Sequence, residues 1–187
     1  MSALPISPAP RLLICSALWL NCLFLTQCKK NAVAPALPPE STSGANKLGC
    51  LVNGQVLVPR DARGRSGTNL ALRLSKTAED AIFSLSLADQ EANSGPYVEI
   101  QADSLVLEEG KSYSFSASPH RGVVQGKCFT TDGGVYTTTT AASGTLTITR
   151  LDRPAKLLAG RFEFVGTDKA TGKQVHVTAG RFDFQDQ

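Results

Sequence analysis

Apolar and polar positions alternate with a period of two through most of this chain. Leu70, Leu72 and Leu74 form one such set and Phe83, Leu85 and Leu87 the next. Val98 with Ile100, Leu105 with Leu107, Tyr113 with Phe115, and Leu146 with Ile148 continue the pattern. Alternation of this kind marks a strand with one buried and one wet face; no segment sustains a helical period, although Lys76–Ala81 allows a single turn. Val135–Thr140 is rich in threonine, which suits a half-exposed strand. Turn residues punctuate the runs at Ala92-Asn93-Ser94-Gly95-Pro96, Glu108-Glu109-Gly110-Lys111 and Ser118-Pro119-His120-Arg121-Gly122. About ten short strands joined by short connections predict an all-β domain, an antiparallel meander folded as a β-sandwich or flattened barrel.

Two stretches sharpen this picture. In Gly49-Cys50-Leu51-Val52-Asn53-Gly54-Gln55-Val56-Leu57-Val58-Pro59, an Asn-Gly pair sits between apolar and β-branched residues, the signal for a type I′ hairpin. Pro59 keeps the second strand of that hairpin from being a central one. Near the other end, Ala159-Gly160-Arg161-Phe162-Glu163-Phe164 returns as Ala179-Gly180-Arg181-Phe182-Asp183-Phe184, with turn chemistry from Gly166 to Lys173 between the copies. The copies predict a hairpin that closes the core. Leu158, Gly160, Phe162 and Phe164 share a face, but Val175 and Val177 are out of phase with Phe182 and Phe184. A bulge near Thr178-Ala179-Gly180, with Gly180 in the unusual backbone geometry, restores the phase.

The N-terminal part is built differently. Residues 12–25 are almost wholly apolar and Arg11 is the only charge before them. The run is interrupted by Asn21 and is short of the ~20 residues a membrane-spanning helix needs, so it reads as a secretory signal. Leu25-Thr26-Gln27-Cys28 resembles a bacterial lipobox, with Gln27 departing from the small residue usual before the cysteine. Cys15 and Cys22 have poorer contexts. The expected organisation is a lipoprotein signal peptide over 1–27, a lipid anchor and Pro-rich tether over 28–47, and one domain over 48–187. Several acyl chains on Cys28 would hold the chain to the outer membrane, with Lys29 and Lys30 at the headgroups. These lysines stand where surface-exported lipoproteins often carry acidic residues, so a periplasm-facing placement is as well supported as a surface one.

Gly44-Ala45-Asn46, Gly49-Cys50-Leu51-Val52-Asn53-Gly54, Leu146-Thr147-Ile148-Thr149-Arg150-Leu151-Asp152 and the two closing repeats resemble an uncharacterised family of lipid-anchored proteins from Bacteroidota-type Gram-negative bacteria. Leu57 stands where that family often has Trp. The resemblance implies an exported all-β domain and brings no catalytic residues with it.

Composition adds mainly exclusions. The net charge of +3 includes Arg11, so the processed chain is close to neutral and lacks the concentrated basic face of a nucleic-acid binder. Arg60-Asp61-Ala62-Arg63-Gly64-Arg65 reads as a solvated loop. In an oxidising compartment Cys50 and Cys128 are expected to form a disulfide, worth about 4 kcal/mol in the chain-entropy model. Two buried free thiols, or a reactive Cys128 served by His120, are the alternatives. His120 and His176 do not make a zinc set with other ligands, and His176, between Val175 and Val177, is expected to point outward. Asp132-Gly133-Gly134 reads as a plain turn rather than as part of a calcium loop. Glu99, Asp103, Glu108 and Glu163 are the acidic residues from which a hydrolase would draw. Tyr97, Tyr113 and Tyr136 are the rings on which a sugar could stack, and 118–134 is the irregular stretch where a ligand loop is expected. No cofactor or metal is expected. These features favour a non-catalytic binding module for a small ligand or another envelope protein, with a cavity if the strands close into a barrel. An envelope hydrolase or a purely structural protein are the alternatives.

Overall fold

The computed structural model describes residues 36–59, 70–74, 83–89, 95–117, 122–139 and 143–185. The expected signal peptide 1–27, the expected lipidation site Cys28, the expected tether up to residue 35, the Arg60–Arg65 segment, Lys76–Ala81 and His120 lie outside the described residues.

The described chain is all β. Its strands are β1 (Lys47–Val52), β2 (Gln55–Leu57), β3 (Leu70–Leu74), β4 (Phe83–Ala88), β5 (Tyr97–Asp103) and β6 (Ser112–Ser114), followed by β7 (Val123–Phe129), β8 (Val135–Thr137), β9 (Gly144–Asp152), β10 (Leu157–Thr167) and β11 (Gln174–Gln185). Their ladders are antiparallel, and they run side by side in the order β2-β1-β11-β10-β8-β7-β5-β4-β3. β9 pairs with the first part of β10 and carries β6 on its other edge. The sheet curls into a nearly closed barrel with one unsealed seam. This resolves the choice between sandwich and barrel.

The path departs from a simple meander in three places, one of them the pairing of β8 with β10 past β9. The first and last strands, β1 and β11, are neighbours, and β6 leaves its place between β5 and β7 to pair with β9. Thr138 holds the split together. Its buried hydroxyl donates to the Ser116 carbonyl (2.6 Å) and accepts from the Gly126 amide (3.2 Å).

Two assignments from the pattern change. Leu105 and Leu107 are buried but belong to no strand; the Tyr113 hydroxyl replaces the ladder there, donating to the Val106 carbonyl (2.9 Å) and accepting from the Glu108 amide (2.8 Å). The stretch expected to be irregular over 118–134 contains β7. Its alternation is hidden because the inward position between Val124 and Cys128 is Gly126, where a Cβ would stand 3.0 Å from the Phe164 ring.

The interior is filled by rings and branched side chains. Phe83, Phe115, Phe162, Phe164, Phe182 and Phe184 are all buried, each contributing about 1.5–3 kcal/mol of transfer free energy. Phe182 lies 6.1 Å from Phe83 across the barrel and 6.0 Å from Phe184 along its own strand. Phe115 and Phe164 approach to 5.1 Å. This packing lends no support to an interior ligand cavity.

Two of the turns expected from sequence are central to the barrel. Asn53 and Gly54 both take positive φ (49° and 81°), as a type I′ hairpin requires. Asp168 folds the β10–β11 turn by accepting from the Ala170 and Thr171 amides at 2.7 and 3.3 Å. The bulge is also where the parity change places it. Phe162 faces Gly180 and Phe164 faces Val177, so Thr178 and Ala179 together oppose Glu163. The left-handed residue, however, is Ala179 (φ 50°) and not Gly180. Glycine is needed at 180 for space, because a Cβ there would meet the Phe162 ring and its carbonyl oxygen.

Candidate functional site

Period-two alternation puts the phenylalanines of the closing repeats inside, so their arginines must face out. Antiparallel pairing then sets Arg161 directly opposite Arg181. Lys47 on β1 lies opposite Asp183, two positions along from Arg181, and Gly49 faces Arg181 itself. Like charges directly opposite on a sheet repel, so this face concentrates positive charge on three adjacent strands.

Residues 36–46, at the end of the stretch expected to be a free tether, lie as a strap across this face. Asp183 pins them. Its carboxylate accepts from the Ser41 hydroxyl (2.6 Å) and from the amides of Ser43 (3.1 Å), Gly44 (2.8 Å) and Ala45 (3.1 Å). Burial pushes the Asp183 carboxyl up, but the donors from Ser41, Ala45, Gly44 and Ser43 outweigh it and hold the group below its ordinary value. Gly44 turns the strap with φ +77°. The next residue but one, Asn46, accepts the Gln185 amide at 3.0 Å. Gly49 leaves the room the strap needs: a Cβ there would stand 2.9 Å from Pro38 and 3.1 Å from Leu37.

Between strap and sheet is a half-open cleft of about 300 Å³, lined among others by Lys47, Arg161, Arg181, Thr149, Glu40 and Thr42. Thr149 reaches it because it is the extra residue of a bulge: Arg150 faces Ala159 and Ile148 faces Gly160. Such bulges re-aim a side chain. Glu40 on the strap stands 3.7 Å from Arg161, both side chains more than half exposed. Among the described residues, neither Lys47 nor Arg181 has a carboxylate within salt-bridge distance. The Arg181 Nε donates to the Ala179 carbonyl at 3.2 Å. A second, more apolar cleft of about 330 Å³ flanks the strap between Ala36, Pro38, Leu48, Val58 and Pro59.

The residues expected to carry chemistry fall elsewhere. Cys50 and Cys128 are not bridged: both are free thiols with no exposed surface. They pack in the core as small apolar groups. Burial, and after it the neighbouring Cys128 sulfur, pushes the Cys50 thiol up; burial alone takes Cys128 to about 11. Neither is an activated nucleophile. His176 is exposed, as expected, and only its backbone is engaged, by Asn53. Asp132 closes a turn, accepting from the Thr130 hydroxyl and the Gly134 amide.

Tyr113 and Tyr136 are buried and so cannot serve as stacking platforms, whereas half-buried Tyr97 packs on Phe129 at 5.6 Å. Glu99 pairs with Gln101 and Glu108 with Lys111; with Asp103 and Glu163 they line neither cleft. Among the described residues, no group of three or more His, Cys, Asp or Glu side chains is placed to hold a metal ion. The cleft residues Lys47, Arg161, Arg181 and Asp183 were not singled out by sequence. The available signal was the repeat itself, which places two arginines in equivalent positions and changes Glu163 to Asp183. Comparison of the chain with family models, curated proteins and solved structures finds no match.

Proposed function

We propose that this chain is a lipid-anchored cell-envelope protein whose barrel serves as a non-catalytic binding module. The observation that carries the reading is the strap-roofed cleft, where three cations, Lys47, Arg161 and Arg181, outnumber the two carboxylates that line it, Glu40 and the strap-bound Asp183. Charge left unpaired on a folded surface favours an incoming partner of opposite sign. The sequence around Cys28 supplies the second part of the reading, attachment to the membrane through lipid. The resemblance of the strand motifs to lipid-anchored envelope proteins supports it as well. A lipid at Cys28 would hold the barrel at the membrane surface. Its partner is then a small ligand or another envelope protein met at that surface.

Intact-mass measurement on protein extracted from its native membrane tests both parts. Acyl mass on a chain beginning at Cys28, with a co-isolated species that the Arg161→Gln/Arg181→Gln double variant fails to retain, is the expected result. A mature chain with no acyl mass overturns the anchor, and retention unchanged by the double variant overturns the binding face.

A further inference from the structure

We infer that the strap-roofed cleft is an oxyanion site of the phosphate type, with Glu40 as an internal anion that the ligand displaces. The inference rests on the binding-module reading and names its ligand class. Two guanidinium groups on directly opposed strand positions offer paired donor forks, the geometry that matches phosphate oxygens two at a time. Lys47 adds a third positive charge and lines the same cleft, as do Thr149, aimed by its bulge, and Thr42 on the strap. Asp183 also borders the cleft and keeps its negative charge, but its oxygens are occupied by the strap's four neutral donors and it forms no ion pair with either arginine, so the cleft retains a positive excess. Among the described residues, Glu40 is the one carboxylate within salt-bridge distance of an arginine of the cleft, at 3.7 Å and exposed. An exposed pair of this kind is weak, so a ligand whose phosphate oxygens engage both guanidinium groups replaces it. Opposed arginines are unfavourable to each other in the empty site; a phosphate between them turns that repulsion into shared attraction.

The test is a calorimetric titration of the full chain, held in non-ionic detergent at pH 7, with inorganic phosphate and separately with a short-chain phosphatidylglycerol. Saturable one-to-one binding is expected. Arg181→Gln or Arg161→Gln weakens it about tenfold or more, and Glu40→Gln tightens it about two- to five-fold by removing the internal competitor. Binding of free phosphate identifies a soluble phosphate or monoester as the source. Binding of the lipid alone, with the same response to the variants, identifies a headgroup. No saturable binding of either probe, or binding that Arg181→Gln and Arg161→Gln leave unchanged, overturns the inference. So does a Glu40→Gln variant that binds more weakly. Acyl mass on Cys28 is measured independently, so failure here leaves the anchor standing, and a missing anchor leaves this site standing.

Discussion

Gly180 lies beneath the ring of Phe162, and Gly160 lies beneath the ring of Phe182, so each repeat supplies the space that the other's phenylalanine fills. Their register is reciprocal about the Arg161–Arg181 pair: Phe162 faces Gly180 and Gly160 faces Phe182. At Gly160 a Cβ would stand 2.5 Å from the Phe182 ring and 2.5 Å from the Thr147 carbonyl. The repeat is thus a packing device on its inner face and a charge device on its outer one.

Gly160→Ala and Gly180→Ala should each destabilise the protein by about 1–3 kcal/mol through overpacking. Trimming the facing ring should recover part of this, with Phe182→Leu partnering Gly160→Ala. Recovery is incomplete because backbone oxygens also crowd both sites. Urea unfolding of the single and double variants measures the coupling. Additive losses would show that the rings and glycines do not meet.

Ala179 occupies the left-handed region at the exposed bulge, where an L-residue costs about 1–2 kcal/mol. Ala179→Gly removes that cost but adds unfolded-state entropy. The net expectation is a gain of about 0.5 kcal/mol, read as a higher urea midpoint. A loss of stability would contradict the assigned backbone geometry.

Asp183 ties folding of the strap to pH. Its folded pKa lies below the ordinary value of 3.8, so its contribution is fully present above that value. It is lost as pH falls through the lowered folded value. The strap should therefore stay docked at neutral pH and release only below about pH 4. Asp183→Asn should mimic the acid state at pH 7, costing about 1–3 kcal/mol, because an amide nitrogen cannot accept from the strap's N–H groups. A variant with unchanged stability and an unchanged acid transition would refute the clamp.

Both thiols should resist alkylation in the folded protein, and both should react after unfolding without any reductant, each adding one label by intact mass. Burial and a pKa of about 11 for Cys128 leave too little thiolate to react at neutral pH. Labelling of neither cysteine in denaturant, until a reductant is added, would mean that the bridge forms after all.

Much of the barrel was legible because period-two alternation reports directly which face is buried. The strand Phe83–Ala88 and the bulge beside Ala179 follow from that rule, and the Asn53-Gly54 hairpin from the positive φ that both of its turn residues accept. It failed where an inward position carried no side chain, as at Gly126, and where Leu105 and Leu107 are buried without a ladder. The site was harder to read. Arg161 and Arg181 look like ordinary wet-face residues until strand register opposes them. The role of Asp183 depends on Ser41–Ala45, which lies 138 or more residues earlier. Polar residues and prolines marked that segment as a spacer, because a carboxylate that folds a loop from across the chain leaves no local pattern. Cys50 and Cys128 misled in the opposite direction. An oxidising compartment makes a disulfide expected, but a core position rewards a thiol simply as a small apolar group.

Amide hydrogen exchange of Ser43, Gly44 and Ala45 at pH 7 tests the central claim, that the strap is a fixed part of the barrel and roofs the cationic cleft. Protection close to that of the β10–β11 ladder, lost in Asp183→Asn, is the predicted result. Exchange at the rate of an unstructured chain in the wild-type protein would contradict it.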